Sequence, residues 1–551
     1  MKKTTRFLAL ALSVLMLLGM LAGCTSSTPA QDMQPKQDTA PAEQPAKQET
    51  AADNSTAEPA AEPFEVSIAI WGAEDALADP NDPILKQLEE KTGVRLVPQN
   101  VTWDDSEQKI QLWATNGQLP DIFAGDFVSK TFYGNWIDQG VIRALPDDLS
   151  AYPNLAEHMQ MERAQAAGRN GKLYMIPRTT YGDITYSVLD RNVVYRWDLA
   201  QAAGVTKEPE TYAEFCDMIK KIIAADPEGK HVSGLTQVLP ELIGGFIYPY
   251  AGIVDKKWVA DENGRFVPSY FESRDKLVTA MQFARELYQE GVIEQDIALA
   301  KLETSKDKYL QGQSAAMVFA WSGPAGLYNR IARDYDELYG EGRFLQDNRI
   351  AKLYPSADGN SYYFVDTESW SESYISSNVD DEKMAAICRL FDYLYSEEGR
   401  RLVFCGIEGE DYDVVDGNVV MRDGVVLSDK YTFCVSSSDL SHLAMWNPEY
   451  WDTTVPSTIP TEYRALNEAR YEDAVQNGTL PTYYDGVMFL STPLKDAFTY
   501  STNDDLLQIM MGNDPVEKMV DDLLASYETK GLSAMLDEVN AAAAELGITA
   551  K

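Results

Sequence analysis

Four tryptophans stand out by position, and two of them, Trp370 and Trp446, lie in polar settings that do not read as core. Trp71 directly follows the apolar run "FEVSIAI", Trp321 lies in "FAWSGPAG", Trp370 in "DTESWSES" and Trp446 in "LAMWNPEYW". A flat indole suits a ligand ring that offers apolar C–H groups on its faces and hydroxyls around its rim. The rim then calls for carboxylate, amide or phenol groups lying in its plane. Asp126 after "IFAG", Tyr181 beyond "IPRTTYGD" and Glu408 in "GIEGED" are the candidates for that second role. The chain holds 10 tryptophans and 30 tyrosines, so most aromatics must be core, and only their position singles these out.

Bond-breaking chemistry has less to work with. The histidines are His158, His231 and His442, none in H-E-x-x-H spacing or beside a nucleophile motif. A G-x-S-x-G elbow, a phosphate-cradling loop and a G-x-G-x-x-G turn are all missing from the sequence. A glycosidase needs only two carboxylates a few ångströms apart, and 86 acidic residues leave that open. A surface-anchored glycoside hydrolase and a polysaccharide adhesin without transport therefore stand as alternatives to a binder that releases its ligand unchanged. The formal net charge of −39 repels phosphate backbones and argues against nucleic acid.

The N-terminus points to a different reaction, acylation of a thiol. Lys2, Lys3 and Arg6 precede an apolar run from Phe7 to Met20, shorter than the roughly 20 residues of a membrane span and laid out as a secretory signal. Leu21-Ala22-Gly23-Cys24 resembles the lipobox of bacterial lipoproteins. In that family the cysteine takes up diacylglycerol, cleavage follows before it, and two or three acyl chains anchor firmly. An ordinary signal with an incidental cysteine is the plainer alternative. Residues 1–23 are thus read as a lipoprotein signal, whose removal takes the charge from −39 to −42 through the loss of three basic residues. Residues 24–63 hold one large apolar residue, Met33, and no aromatic one. Such a stretch is a tether, with a reach of roughly 35 Å as a flexible coil.

The elements that must position the candidates come next. In 64–551 "FEVSIAIWG" reads as a strand, "DPILKQLEEKTG" as a helix capped by Asp82 with Pro83 at its first position and Gly93 at its end, and "VRLVPQNV" as a second strand. "SEQKIQLWATNGQLPDIFAGD" repeats the scheme with a strand at 121–124. Short joints between alternating strands and helices give an open parallel α/β sheet, whose ligands sit beyond the carboxyl ends of the strands. Trp71 and Asp126 fall on those loops. Further along, helices are expected in "ETYAEFCDMIKKIIAAD", "SRDKLVTAMQFARELYQEG" and the pair within "DEKMAAICRLFDYLYSEEGRRLVFCG". Hairpins are expected at Asn263-Gly264 and around the Asp-Gly pairs 416–417 and 423–424. Asp514 should cap a late helix, with Pro515 in its first turn and Glu517 reaching back. Cys216, Cys388, Cys405 and Cys434 show no C-x-x-C spacing, so zinc is not expected; they are buried thiols or two disulfides.

Several phrases, in order and spacing, resemble the extracellular solute-binding proteins of bacterial ABC importers, family 1, in particular the long lipoprotein-type members that bind oligosaccharides. They are "LEEKTGVRL", "GQLPDIFAGDF" leading to "IDQGVIRALPDDLSAYPNL", "NGKLYMIPR", "WDLAQAAGVTKEPETYAEFCDMIKKIIAADPEGK", "ARELYQEGVIEQDI" with "YLQGQSAAMVFAW", and "LFDYLYSEEGRRLVFCGIEGEDYDVVDGNVV". The resemblance implies an α/β, two-lobed periplasmic-binding-protein-like fold of open sheets with discontinuous, hinged lobes. Lobe 1 would span about 64–183 plus a segment near 360–420, and lobe 2 about 184–359 plus most of 421–551. It further implies a monomer that closes on an oligosaccharide at the extracellular face of the membrane, lipid-anchored at Cys24, and serves a permease and its ATPase. Long members often carry a calcium loop after the helix that ends near Ala225. The stretch Asp226–Gly234, "DPEGKHVSG", lacks the alternating oxygen ligands such a loop needs, so no metal or other cofactor is expected.

Overall fold

Alternation in "FEVSIA" sends Val66 and Ile68 inward and starts β1 (Phe64–Ala69). The computed structural model describes residues 62–102, 105–128, 130–319, 324–433 and 460–550. Asp82 caps the helix Pro83–Thr92, accepting the N–H groups of Ile84 at 2.8 Å and Leu85 at 3.4 Å, and Gly93 (φ 69°) ends it. β2 (Val94–Pro98) then lies parallel to β1. Helix Ser106–Asn116 leads to β3 (Ile122–Gly125), parallel to β1 on the other side and one residue later than the sequence suggests.

After β4 (Met175–Thr179) the chain leaves this sheet. It forms β5 (Asn192–Arg196), β6 (Ser233–Thr236), the hairpin of β7 (Trp258–Ala260) with β8 (Phe266–Pro268), β9 (Ser314–Phe319) and β10 (Asn348–Ile350). It returns as β11 (Ser369–Ile375), and a second hairpin, β12 (Tyr412–Val415) with β13 (Asn418–Met421), follows. The first sheet has the order β2-β1-β3-β11-β4 and the second β10-β5-β9-β6. β11 runs antiparallel to both its neighbours, so the first sheet is mixed rather than wholly parallel. A strand that arrives from another body needs no crossover helix to set its direction.

Each sheet has its own core. One core draws on residues between 66 and 176 and between 375 and 433, among them Val66, Ile122, Ile387 and Phe433. The other draws on 188–365 and 474–543, among them Phe215, Met281, Val318 and Val539. Both are discontinuous in sequence, giving the two lobes. The links at 180–191 and 351–368 run side by side. Thr180 donates its N–H to the Glu368 carbonyl at 2.8 Å, Ser187 its hydroxyl to the Phe364 carbonyl at 3.3 Å, and the Arg191 guanidinium lies 3.8 Å from the Phe364 ring centre. Helix Thr461–Asn477 braces the first link, with Tyr471 stacked on Tyr186 at 4.4 Å and bonded to Asp183 at 2.6 Å.

Helices Tyr212–Ala225, Arg274–Gln289, Asp381–Tyr395 and Glu397–Cys405 lie where apolar spacing puts them. Asp416 (φ 53°) and Gly417 (φ 86°) both take the left-handed conformation that a tight hairpin between twisted strands requires. The Asp423-Gly424 turn instead leads into a short helix, Leu427–Lys430. Asp514 is not a cap. Pro515 occupies the capping position of helix Val516–Thr529, and the Asp514 carboxylate pairs with Lys518 at 3.0 Å. Cys216 and Cys388 are buried thiols, pushed by burial up to about 12 and about 11, and Cys405 is buried as well. Cys24 and Cys434 lie outside the described residues.

Asp82 does more than cap. Its other oxygen accepts from the Thr432 N–H at 2.6 Å, the Thr432 hydroxyl and the Phe433 N–H, each at 3.1 Å, which ties residues 350 positions apart. Removing a cap and orphaning charge-assisted bonds together is worth about 3 kcal/mol. Asp82→Ala should therefore lower unfolding stability by about that amount in a denaturant titration, with Asp82→Asn falling between.

Candidate functional site

Trp71 leaves the carboxyl end of β1, where Gly72 turns the chain at φ 79° into the short helix Ala73–Ala76. Trp370 sits in β11 at a bulge: the register with β4 slips between Ser369 and Glu372, and Ser371 takes φ 64°. A bulge re-aims a side chain, and a non-glycine residue held at positive φ marks strain of about 1–3 kcal/mol that the surroundings must enforce. The two indoles come together, with centroids 5.7 Å apart and planes at 47°, but they differ in access. Trp71 is buried in the first core, against its expected place facing ligand, because the turn at Gly72 folds it back onto the sheet, whereas Trp370 is half-buried. The fully buried guanidinium of Arg178, from β4, lies 5.0 Å from the Trp71 ring and 5.2 Å from that of Trp370. A desolvated cation against an indole contributes about 2 kcal/mol, so Arg178 fixes the pair from behind.

Asp126 follows β3 at the same end of the sheet. Its Oδ1 accepts from Arg163 Nη2 at 3.2 Å, yet its side chain keeps 47% exposure, so the carboxylate still faces outward. Arg163 is nearly inaccessible and also bonds Glu372, which is fully buried on β11. Glu372 accepts from the Tyr374 hydroxyl at 2.7 Å and the Phe127 N–H at 3.3 Å. Burial pushes its carboxyl up, and Arg163 pulls it back. Arg163 also donates to the Ser369 carbonyl at 3.0 Å and lies 4.3 Å from the Phe489 ring. Phe489 belongs to the segment 485–491, which starts beside β7, where the Tyr484 N–H meets the Trp258 carbonyl at 2.9 Å, and docks here through Gly486 N–H to Glu162 at 3.2 Å.

Tyr181 opens the first link between lobes. It is buried, its hydroxyl has no hydrogen-bond partner among the described residues, and burial with the nearby Asp190 and Asp366 carboxylates pushes it up. Glu408 is exposed in the turn before β12, where its backbone bridges to Tyr412, and among the described residues no contact ties it to the indole pair. Trp321 and Trp446 lie outside the described residues. The structure thus gathers Trp71, Trp370 and Asp126 at one end of the first sheet. The residues that sequence reasoning missed are the buried charges Arg163, Arg178 and Glu372. Arg178 stands inside "MIPRT", where a charge in a largely apolar strand was an available signal, whereas Glu372 in the polar "SWSES" and Arg163 offered none.

Residues 75–401 match the bacterial extracellular solute-binding protein family. The chain belongs to that family. As a solute-binding protein it is 23% identical to lipoprotein LipO of Bacillus subtilis over 61% of this chain and 65% of LipO. It is 21% identical to the polygalacturonan/rhamnogalacturonan-binding protein YtcQ of the same organism, over 88% of this chain and 93% of YtcQ. Its fold matches that of the Streptococcus pneumoniae ABC-transporter substrate-binding protein FusA, solved in complex with kestose. That match has a TM-score of 0.65 at 17% identity and covers 88% of this chain and 99% of FusA.

The solute-binding protein holds one histidine behind this site. His158 stacks on Tyr395 at 3.7 Å, and both ring systems reach the carbonyl of Pro177, next to Arg178, at 2.6 and 3.1 Å. Desolvation, helped by Arg400, lowers His158 from 6.5 to about 4. Between those values the unfolded chain takes up a proton that the folded one refuses. The stability this contributes is whole above pH 6.5 and is lost as pH falls towards 4, up to about 3 kcal/mol. Denaturation of the wild type and His158→Phe at intervals from pH 7.5 to 4.5 should show the wild type losing stability faster on acidification.

Proposed function

We propose that this solute-binding protein captures an uncharged oligosaccharide between its lobes and hands it intact to an ABC permease driven by an ATPase. The observation that carries this reading is the half-buried Trp370 indole, backed by the buried Trp71 and Arg178, with the half-exposed Asp126 at the same end of the sheet. Indole faces stack on sugar rings, and the carboxylate accepts hydroxyl hydrogens. The ligands in the names of YtcQ and of the FusA complex agree with a carbohydrate, and kestose, unlike the acidic galacturonans of YtcQ, is uncharged. Binding without cleavage is supported by the state of the two carboxylates here. Asp126 and Glu372 share Arg163, and Glu372 has no exposed surface from which to reach a glycosidic oxygen. We further infer export and attachment through acylated Cys24, action as a monomer, and a third passage between lobes after Phe433 rather than near 421, since Phe433 still packs in the first core.

A calcium requirement is not part of this reading. The Asp226 carboxylate is taken up by the N–H groups of Lys230 at 3.0 Å, His231 at 3.1 Å and Val232 at 3.4 Å, so the shortened loop is closed by its own backbone. Chelation with EDTA and later addition of calcium should leave Tm unchanged; a calcium-dependent rise would overturn this.

Titration with a panel of neutral oligosaccharides, followed by tryptophan emission and by chromatography of the sugar, tests the main proposal. A binder shifts its emission and returns the sugar whole. Shorter products would establish a hydrolase, and a response to polymer alone would establish an adhesin. Trp370→Ala should weaken binding about tenfold or more, because one ring stack is worth roughly 1.4 kcal/mol.

A further inference from the structure

The second lobe contains a cavity of about 230 Å³ walled by Tyr248, Tyr270, Tyr500, Asp255, Lys257 and Thr502. Tyr270 and Tyr500 stack with centroids 5.7 Å apart and planes at 16°, and the Tyr270 hydroxyl is fixed on Asp505 at 2.8 Å. These packed rings make a rigid, largely apolar side to the cavity. Tyr248 differs from them: it is 1% exposed, its hydroxyl has no well-formed hydrogen bond, and the groups acting on it are Asp255, Thr502 and Tyr500 of the same cavity. Buried hydroxyls are ordinarily satisfied, so one that points into a cavity without a good partner marks where a ligand atom belongs.

The cavity also stands at the junction of the lobes. A Cβ at Gly244 would come within 3.3 Å of both Asp255 Oδ2 and the Phe364 ring of the second link. Lys257 is buried, with its Nζ 3.6 Å from Asp485 and 4.4 Å from the Tyr483 ring centre. Asp485 opens the segment whose Phe489 covers Arg163 of the first lobe. The cavity wall and the first lobe's binding end are therefore joined by one short stretch of chain.

We propose that this cavity is a subsite for a single uncharged sugar ring, packed against Tyr270 and Tyr500 with its hydroxyls on Tyr248, Thr502 and Asp255. The assignment rests on the oligosaccharide reading above and adds a contact from the second lobe. A ring hydroxyl can both donate to Asp255 and accept from Tyr248. It would make ligand bridge the lobes, which is the differential contact that favours the closed form.

The test measures affinities of the whole protein for a neutral oligosaccharide series of increasing length, with the variants Tyr248→Phe and Thr502→Val. Each removes one hydroxyl and keeps the shape, so Tm without sugar should stay at the wild-type value. Loss of one neutral hydrogen bond corresponds to about a two- to tenfold weaker affinity, and that loss is expected with the longer members. If the wild type binds the series and both folded variants bind every member equally well, the subsite is refuted while the transport reading stands. If the wild type binds no member, the transport reading itself fails and the subsite falls with it.

Discussion

A guanidinium in a protein interior must be neutralised and hydrogen-bonded, or the fold loses several kcal/mol. Arg163 is that group here. Its pairing with Glu372 and Asp126, its bond to the Ser369 carbonyl and its cover by Phe489 join four pieces of chain that are far apart in sequence. Those pieces are the end of β3, the bulged start of β11, the helix Glu162–Ala166 and the docking segment of the second lobe. The candidate binding end of the first sheet is assembled around one buried charge, and the lobes meet at the same point.

The aromatic face follows from this anchoring. Because Glu372 and Ser369 are both pinned by Arg163, the bulge between them is held, and Trp370 turns towards Trp71. The left-handed Ser371 is the strain that results. Arg178 completes the arrangement one strand further on. A rigid face of this kind loses little entropy on binding, which is the advantage of building a site on strand ends rather than on a long loop.

Closure needs a pliant element between rigid ones, and the two links provide it. They are short, adjacent and bonded to each other, with Arg191 (φ 47°) clasped between Asp190, Glu241 and the Phe364 ring. Burial pushes the Asp190 carboxyl up, against the pull of Arg191. The polar cluster keeps the links aligned with one another.

How much of this was legible in the sequence differs by element. Asp82, Pro83 and Gly93 marked a helix because capping and left-handed turns depend on neighbours in the chain, and the Asp416-Gly417 hairpin followed for the same reason. Asp514 misled because Pro515 took the capping position itself, a choice between adjacent residues that composition does not decide. Trp71 and Asp126 were placed by a topological rule about strand ends, and Trp370 by its polar surroundings. Arg163 and Glu372 were out of reach, and Arg178 was marked only by its apolar neighbours, since a charge is buried only where the tertiary structure brings the right groups around it. The direction of β11 was likewise decided by tertiary structure, because the return from the second lobe sets it. Local bonding and periodicity thus determined the segments, whereas the pairing of distant charges decided how those segments make a site.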